Sequence, residues 1–423
     1  MNLILGGGIA GISTAYHLNK AGRNYKLFEK NASWGGLCGN FAVNGFLFDY
    51  FVHLSFTTDE YVKNIFSQST PFYSHNPIAY NYYKGTWLKH PVQNNLAPLS
   101  VQEKIKIIED FISRPVITPK NYYDWLLVQF GEYFTDNFPD RYTKKYWTVN
   151  SKDLTLDWVR GRFSLPKLDG ILKGAFQEQK DNFYYAKEMR YPKQGGYIAF
   201  LNGIVKEIDI QCEKQAALVD LKNQYVEFAD GTKEYYETLV SSIPLPGLLR
   251  IIKDCPKEIL NAADMLLATS GQLVSLGFNR PDVPNHLWEY IYDEDIFPAR
   301  VYSPSLKSPN NVPEGKSSLQ FETYFSKRNP PKLQGEQLLE HVISSGEKMN
   351  LFSKTDIDVT DYREVKYANV VFDRERKNAV KAIHEYLDTW GVKYLGRFGE
   401  WDYLWSDQSF LSGKKVTDKL IGL

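Results

Sequence analysis

The sequence predicts an α/β fold with two sheets, one parallel and one mostly antiparallel, and an inserted α-helical region between them. Three observations predict it. Asn2-Leu-Ile-Leu5 is a short apolar run followed at once by a Gly-rich turn, a helix-forming stretch and a second apolar run that ends in an acid. Residues 59 to about 185 change to helical spacing. Beyond residue 255, strand-like runs recur between loops rich in Pro and Asn.

The opening stretch carries the strongest pattern. Gly6, Gly8 and Gly11 fill a G-x-G-x-x-G frame directly after the first strand. Ile12 to Gly22 reads as a helix with Gly22 as its stop, and Tyr25-Lys-Leu-Phe28 as the second strand, with Glu29 at its C-terminal end. This is the dinucleotide fingerprint of a Rossmann-like domain in its required context. Gly6 allows the tight turn, Gly8 lets a pyrophosphate approach the backbone, and Gly11 lets the helix pack close to the strand. The positive end of the helix dipole then faces the phosphates. Glu29 can accept hydrogen bonds from ribose hydroxyls and would repel a 2′-phosphate, which favours FAD or NAD over NADP. Trp34-Gly-Gly-Leu-Cys-Gly39 suits a loop passing close to the bound cofactor, and Phe41-Ala-Val and Phe46-Leu-Phe flank a hairpin turn at Asn44-Gly45. His53 lies in an apolar run, where a lone histidine is more often a packed core residue than a catalyst.

Helices are expected over Glu60 to Gln68, Val101 to Ile112, Tyr122 to Phe130, Tyr142 to Tyr146 and Leu168 to Gln179, with a hairpin turning at Gly85. Tyr197 to Lys206 suits a further helix. Gln215 to Val219, Tyr225 to Phe228 and Lys233 to Tyr236 read as a β-meander, and Thr238 to Ile243 as a buried strand closed by Pro244 and Pro246. Leu273 to Phe278, Leu287 to Tyr292, Arg300 to Tyr302, Ser318 to Phe325 and Asp356 to Tyr367 suggest a second sheet. Helices from Arg374 to Tyr386 and from about Ser409 close the chain. The expected organisation is a discontinuous cofactor domain over 1–58, 186–252 and 373–423, a mainly helical insertion over 59–185, and a substrate-side sheet domain over 253–372.

Lys plus Arg and Asp plus Glu number 50 each in 423 residues, so no global field attracts nucleic acid or an anionic membrane. An anion must be held by local donors. Cys38, Cys212 and Cys255 form no C-x-x-C pair and no metal spacing, which reads as a reduced, cytoplasmic protein without a metal site. The first strand begins with no basic segment before it, unlike a signal peptide. No apolar run approaches the ~20 residues of a membrane span. No Ser-His-Asp or Cys-His nucleophile set is evident. The 29 Tyr, 25 Phe and 9 Trp fit sugar- or flavin-lining surfaces and an aromatic core equally well.

Several stretches taken together resemble a known family. The first sixty residues resemble the GR2-type FAD-binding domain of amine oxidases, protoporphyrinogen oxidases and UDP-galactopyranose mutases. Lys89-His-Pro-Val-Gln-Asn-Asn-Leu96 and Tyr142 to Arg162 resemble two mutase segments around the sugar-nucleotide. Pro298-Ala-Arg-Val-Tyr302 resembles a mutase strand carrying a diphosphate arginine. Gly396-Arg-Phe-Gly-Glu-Trp-Asp-Tyr403 followed by Asp407-Gln-Ser-Phe410 resembles the closing flavin-contact motif of the eukaryotic-type mutases. The resemblance runs along nearly the whole chain.

It implies FAD held by Gly6, Gly8, Gly11, Glu29, Lys30, Gly35, Gly36, Leu37, His53, Gly396, Asp407, Gln408 and Ser409. It implies a nucleotide-diphosphate sugar bound by His90, Gln93, Trp147, Arg162, Arg300, Arg397 and Tyr403. His53, Arg300 and Arg397 would serve the reaction: pyranose–furanose isomerisation at flavin reduced by NADH or NADPH, for surface polysaccharide synthesis. A homo-oligomer is compatible. Four positions depart from the mutase pattern: Phe51-Val52 stands where Gly-Gly precedes the flavin-side histidine, Thr143 where Asn is expected, His90 where Tyr is, and Asp407 where Asn is. Two other classes stay open: a redox flavoenzyme of the amine or protoporphyrinogen oxidase type, and a non-catalytic prenyl-protein-binding module.

Overall fold

The computed structural model describes residues 1–159, 161–163, 165–179 and 187–422. The expected boundary at 185/186 lies outside them. The first domain is built on a four-stranded parallel sheet in the order Lys393–Tyr394, Thr238–Ser241, Asn2–Leu5, Tyr25–Phe28. All four strands pair in the parallel sense, which needs helical crossovers on the sheet faces. Helix Ile9–Lys20 supplies the first crossover, and Gly22 follows it at φ 65°. The meander Ala216–Asp220, Tyr225–Phe228, Lys233–Tyr235 is present as a separate antiparallel sheet.

The second sheet has seven strands. Their order is Ile357–Val370, Ala268–Phe278, Ser317–Phe325, Arg300–Tyr302, Trp288–Ile291, Ala79–Tyr83 and Thr86–Lys89. Every pairing is antiparallel except Trp288–Ile291 with Ala79–Tyr83. The hairpin inside the helical insertion therefore forms an edge of this sheet. Its turn at Lys84-Gly85 and that at Asn44-Gly45 both take positive φ at two residues, as tight hairpins require.

Among the described residues, helices Glu60–Ser69, Val101–Ile112, Tyr122–Phe130, Glu132–Asn137, Pro139–Tyr146 and Leu168–Phe176 lie in the insertion; Glu132–Asn137 was not expected, and the last ends short of Gln179. A full capping box from Ser100 and Glu103 fixes the start of the second. Tyr197 to Lys206 is not one regular helix but a 3-10 turn, Tyr197–Leu201, running into a single α turn, Asn202–Val205. The closing helices are Arg376–Thr389 and Ser406–Ile421, the latter starting three residues earlier than its sequence suggests. That shift places Asp407 and Gln408 in its first turn.

The last helix packs along the first. The Ser13 hydroxyl donates to the Phe410 carbonyl at 2.6 Å, and a Cβ at Gly413 would lie 2.4 Å from the Ala10 carbonyl oxygen. Glycine is what permits this approach. Among the described residues no helix is long and apolar enough to cross a membrane.

Candidate active site

The opening turn has the geometry its glycines predict. Gly6 sits at φ 101°, and a Cβ at Gly11 would come within 2.0 Å of the Gly6 carbonyl oxygen. A Cβ at Gly8 would meet nothing within 4 Å, so backbone faces open space at the start of the helix. Glu29 is buried at the tip of its strand. It accepts from the Gly7 amide at 2.8 Å through one oxygen and from the Asn31 amide at 2.9 Å through the other. The Gly35–Gly36 loop is pinned to this turn by a 2.7 Å bond from the Gly35 amide to the Gly7 carbonyl. From the other end of the chain Gly396 arrives at φ 74°, its amide donating to Ser412 Oγ at 3.0 Å, where a Cβ would lie 2.7 Å from that of Ala10. Lys30 and Gln408 are exposed. Gln408 caps its own helix by accepting from the Trp405 amide at 2.9 Å, and Ser409 is buried behind it.

A cavity of about 370 Å³ opens next to this region. Its wall brings together Leu37, His53, His90, Gln93, Trp147, Arg162, Arg300, Arg397, Tyr403 and Asp407, which lie hundreds of residues apart in sequence. One wall is the second sheet. Strand alternation sends one row of side chains toward the cavity: Asn81 lies opposite Tyr290, Tyr290 opposite Arg300, and Arg300 opposite Glu322. The rest is aromatic. Trp147 packs 5.0 Å from both Trp158 and Tyr403, and Tyr146 donates or accepts a 3.0 Å bond with the Tyr403 hydroxyl. Arg162 stacks its guanidinium over the Tyr403 and Trp405 rings at 4.2 and 4.4 Å.

The two arginines expected at a diphosphate differ. Arg300 Nε donates to Glu322 Oε2 at 2.7 Å, and its Nη2 donates to the Tyr324 hydroxyl at 3.1 Å. Burial pulls its pKa down, but the Glu322 carboxylate and surrounding tyrosines override this and hold it well above the usual value. Arg397 donates only to neutral acceptors: the Leu404 carbonyl at 2.9 Å, the Ala368 carbonyl at 3.1 Å and Asn369 Oδ1 at 3.3 Å. No carboxylate pairs with it among the described residues.

His53 is held neutral: burial pushes its pKa down to about 4, outweighing the Asp49 charge that raises it. Burial does the same to His90, whose Nδ1 lies 3.1 Å from Asn81 Oδ1. Neither is a charged acid at neutral pH. Burial pushes the Cys38 thiol up to about 12, which removes the nearest candidate thiolate. Among the described residues no cluster of His, Cys, Asp and Glu could hold a metal ion.

Phe51 and Val52 both line the cavity. Phe51 takes φ 66°, a left-handed conformation that suits glycine, and its ring stacks on Tyr324 at 5.8 Å. The Val52 amide donates to Glu322 Oε1 at 2.7 Å. Tyr142, Tyr146, Tyr290, Tyr324, Asn369 and Trp405 also line the cavity and were not among the residues expected from sequence, and Glu322, which grips its wall, was not either. Tyr142 and Tyr146 lie inside the Tyr142-to-Arg162 stretch singled out from sequence, and Glu322 is the one charged residue of strand Ser317–Phe325.

A parallel sheet with a Gly-rich turn, opening onto an aromatic cavity, defines a protein of the Rossmann-like dinucleotide-binding class. The model of the NAD(P)-binding Rossmann-like domain matches residues 4–69. Over the whole chain the structure is similar to a reduced UDP-galactopyranose mutase at 25% identity and TM-score 0.93, covering 100% of this chain and 93% of that one. It also superposes on a putative protoporphyrinogen oxidase from Exiguobacterium sp. 255-15 (13% identity, TM-score 0.77, 99% and 98% covered). An oxidoreductase from Methanosarcina mazei follows (13%, TM-score 0.69, 99% of both chains). The last two show the shared fold. The resemblance to the mutases read from the motifs therefore extends over the whole chain.

Proposed function

We propose that the protein is a flavin-dependent pyranose–furanose mutase acting on a nucleotide-diphosphate sugar. The observation that carries this is Arg397: a cation without a carboxylate partner, held in an aromatic cavity that abuts the dinucleotide turn. An apolar substrate would give that charge no partner, whereas a diphosphate would.

The residues present fit FAD. Gly8 leaves room for a pyrophosphate, Glu29 sits at the tip of its strand beside the Gly-rich turn, and His53 lines the cavity. The first turn of helix Ser406–Ile421 presents its positive end there, with Asp407 on the cavity wall. A reduced flavin, when bound, would supply nucleophilic chemistry through an electron-rich ring nitrogen able to attack an anomeric carbon. NADH or NADPH would be the reductant.

The chain's own residues do the rest. Arg397 and Tyr403 hold the diphosphate and stabilise the charge that grows on it as the sugar bond breaks. Trp147 and Arg162 pack over the nucleotide, and His90 and Gln93 line its pocket. Neutral His53 orients without donating a proton from a charged ring. The aromatic wall excludes water, which would otherwise hydrolyse an activated sugar.

The test is direct. Purified protein should be yellow. Dithionite-reduced protein should convert UDP-galactose, UDP-N-acetylgalactosamine or dTDP-fucose to a furanose form. Absence of product and of binding with all three would reject the proposal. The Arg300–Glu322 pair favours a second reading, a redox flavoenzyme, because it removes one of the two expected diphosphate cations. Turnover with oxygen or a quinone as acceptor would support that reading instead.

A further inference from the structure

We propose that Glu322 is a specificity-determining residue: it holds Arg300 out of anion recognition, so the cavity meets a phosphate-bearing ligand through Arg397. This rests on the reading of the cavity as a nucleotide-diphosphate site and narrows it.

Glu322 and Arg300 are directly opposite each other on neighbouring strands, with both side chains on the cavity face. Glu322 is fully buried, and the side chain of Arg300 is 14% exposed. Both carboxylate oxygens are used. Oε1 accepts from the Val52 amide at 2.7 Å, and Oε2 accepts from Arg300 Nε at 2.7 Å and from the Tyr324 hydroxyl at 2.6 Å. Nε and Nη2 of Arg300 are engaged, so a phosphate could meet it only through Nη1, and would meet a charge already offset by a carboxylate with no access to water. Drawing Arg300 fully away would leave that buried charge short of a donor, which is more costly than leaving a surface charge unpaired. Arg397 has no such competitor, because its bonds go to two carbonyls and an amide oxygen. The same carboxylate pins the backbone of Val52, one of the two positions where this chain replaces glycine. The substitution at Phe51-Val52 and the capture of Arg300 thus belong to one local arrangement.

The test uses the flavin-loaded protein and UDP as the probe, with affinity read by calorimetry for wild type, Arg300→Met, Arg397→Met and Glu322→Gln. Arg397→Met should weaken UDP by about ten-fold or more, the scale of a charge-assisted hydrogen bond. Glu322→Gln keeps an acceptor for the Val52 amide, frees the Arg300 charge and should tighten UDP by about ten-fold. Adding Arg300→Met to Glu322→Gln removes the cation without stranding a carboxylate; it should abolish that gain and leave UDP affinity within about three-fold of wild type. A double variant that loses UDP as strongly as Arg397→Met would overturn the inference, as would a Glu322→Gln protein that binds UDP no better than wild type.

Wild-type protein that takes no UDP counts against the functional reading itself. The pairing is then decided by the denaturant midpoints of wild type, both single variants and the double variant. Strongly non-additive changes support it and additive ones overturn it. Should Glu322→Gln alone fail to fold, the double variant Arg300→Met/Glu322→Gln, which removes both charges, still decides the matter through its UDP affinity relative to Arg397→Met.

Discussion

Arg397 and Arg300 share a residue type and a cavity, and differ in what already holds their charge. That difference was invisible in the sequence, because Glu322 is brought opposite Arg300 only by strand pairing. For Arg397→Ala we expect the flavin to be retained, since its bonds go to the backbone of 368 and 404 and to Asn369. UDP affinity should fall roughly ten- to a hundred-fold, as loss of a charged hydrogen bond costs about 1.5–3 kcal/mol. Unchanged affinity would remove Arg397 from the site, and loss of yellow colour would place it on the cofactor.

The histidines make a second residue-scale prediction. Burial lowers both His53 and His90 to about 4. Unfolded histidine titrates near 6.5, so the unfolded state binds more protons between these values. The stability these neutral rings allow is complete above about pH 6.5 and is lost as pH falls toward 4. His90→Asn should flatten the fall in melting temperature across that window. An identical pH profile in the variant would show that His90 titrates normally.

Among the elements, two glycines of one motif make opposite demands. Gly11 packs against backbone and Gly8 faces open space. Gly11→Ala should therefore drive the first helix off its strand and prevent folding. Gly8→Ala should fold with a melting temperature close to wild type and yet bind no dinucleotide, because its new methyl fills the phosphate approach. Circular dichroism with flavin absorbance separates the two outcomes, and a yellow Gly8→Ala protein would refute the assignment of the turn.

Helices Val101–Ile112 and Tyr122–Phe130 match their expected limits because capping and apolar spacing are local signals. The hairpin Ala79–Lys89 was legible as a hairpin but not as part of the second sheet. Its parallel pairing with Trp288–Ile291 spans some two hundred residues, and no local pattern encodes a partner at that distance.

At the scale of the molecule, the site is a junction. The dinucleotide turn, the 35–37 loop and the Arg397 motif come from opposite ends of the chain, while the aromatic wall comes from the insertion and the second sheet. The fingerprint and the closing motif could be read from sequence because each is contiguous. The tyrosines that complete the wall could not, because each is ordinary in its own stretch and significant only beside the others.

This arrangement predicts a coupling between cofactor and fold. A flavin seated between Gly8 and Asp407 would touch the start of helix Ser406–Ile421, which packs on helix Ile9–Lys20 through Ser13 and Gly413. Ligand that binds only the folded state stabilises what it touches. Removing the flavin should therefore raise amide exchange in 406–421 and 8–20 together, and leave the central strand Ala268–Phe278 protected. That strand is paired on both sides and has no part in the junction. Equal exchange in the two forms would mean that the helices meet for structural reasons alone. Loosening confined to the second sheet would place the cofactor elsewhere.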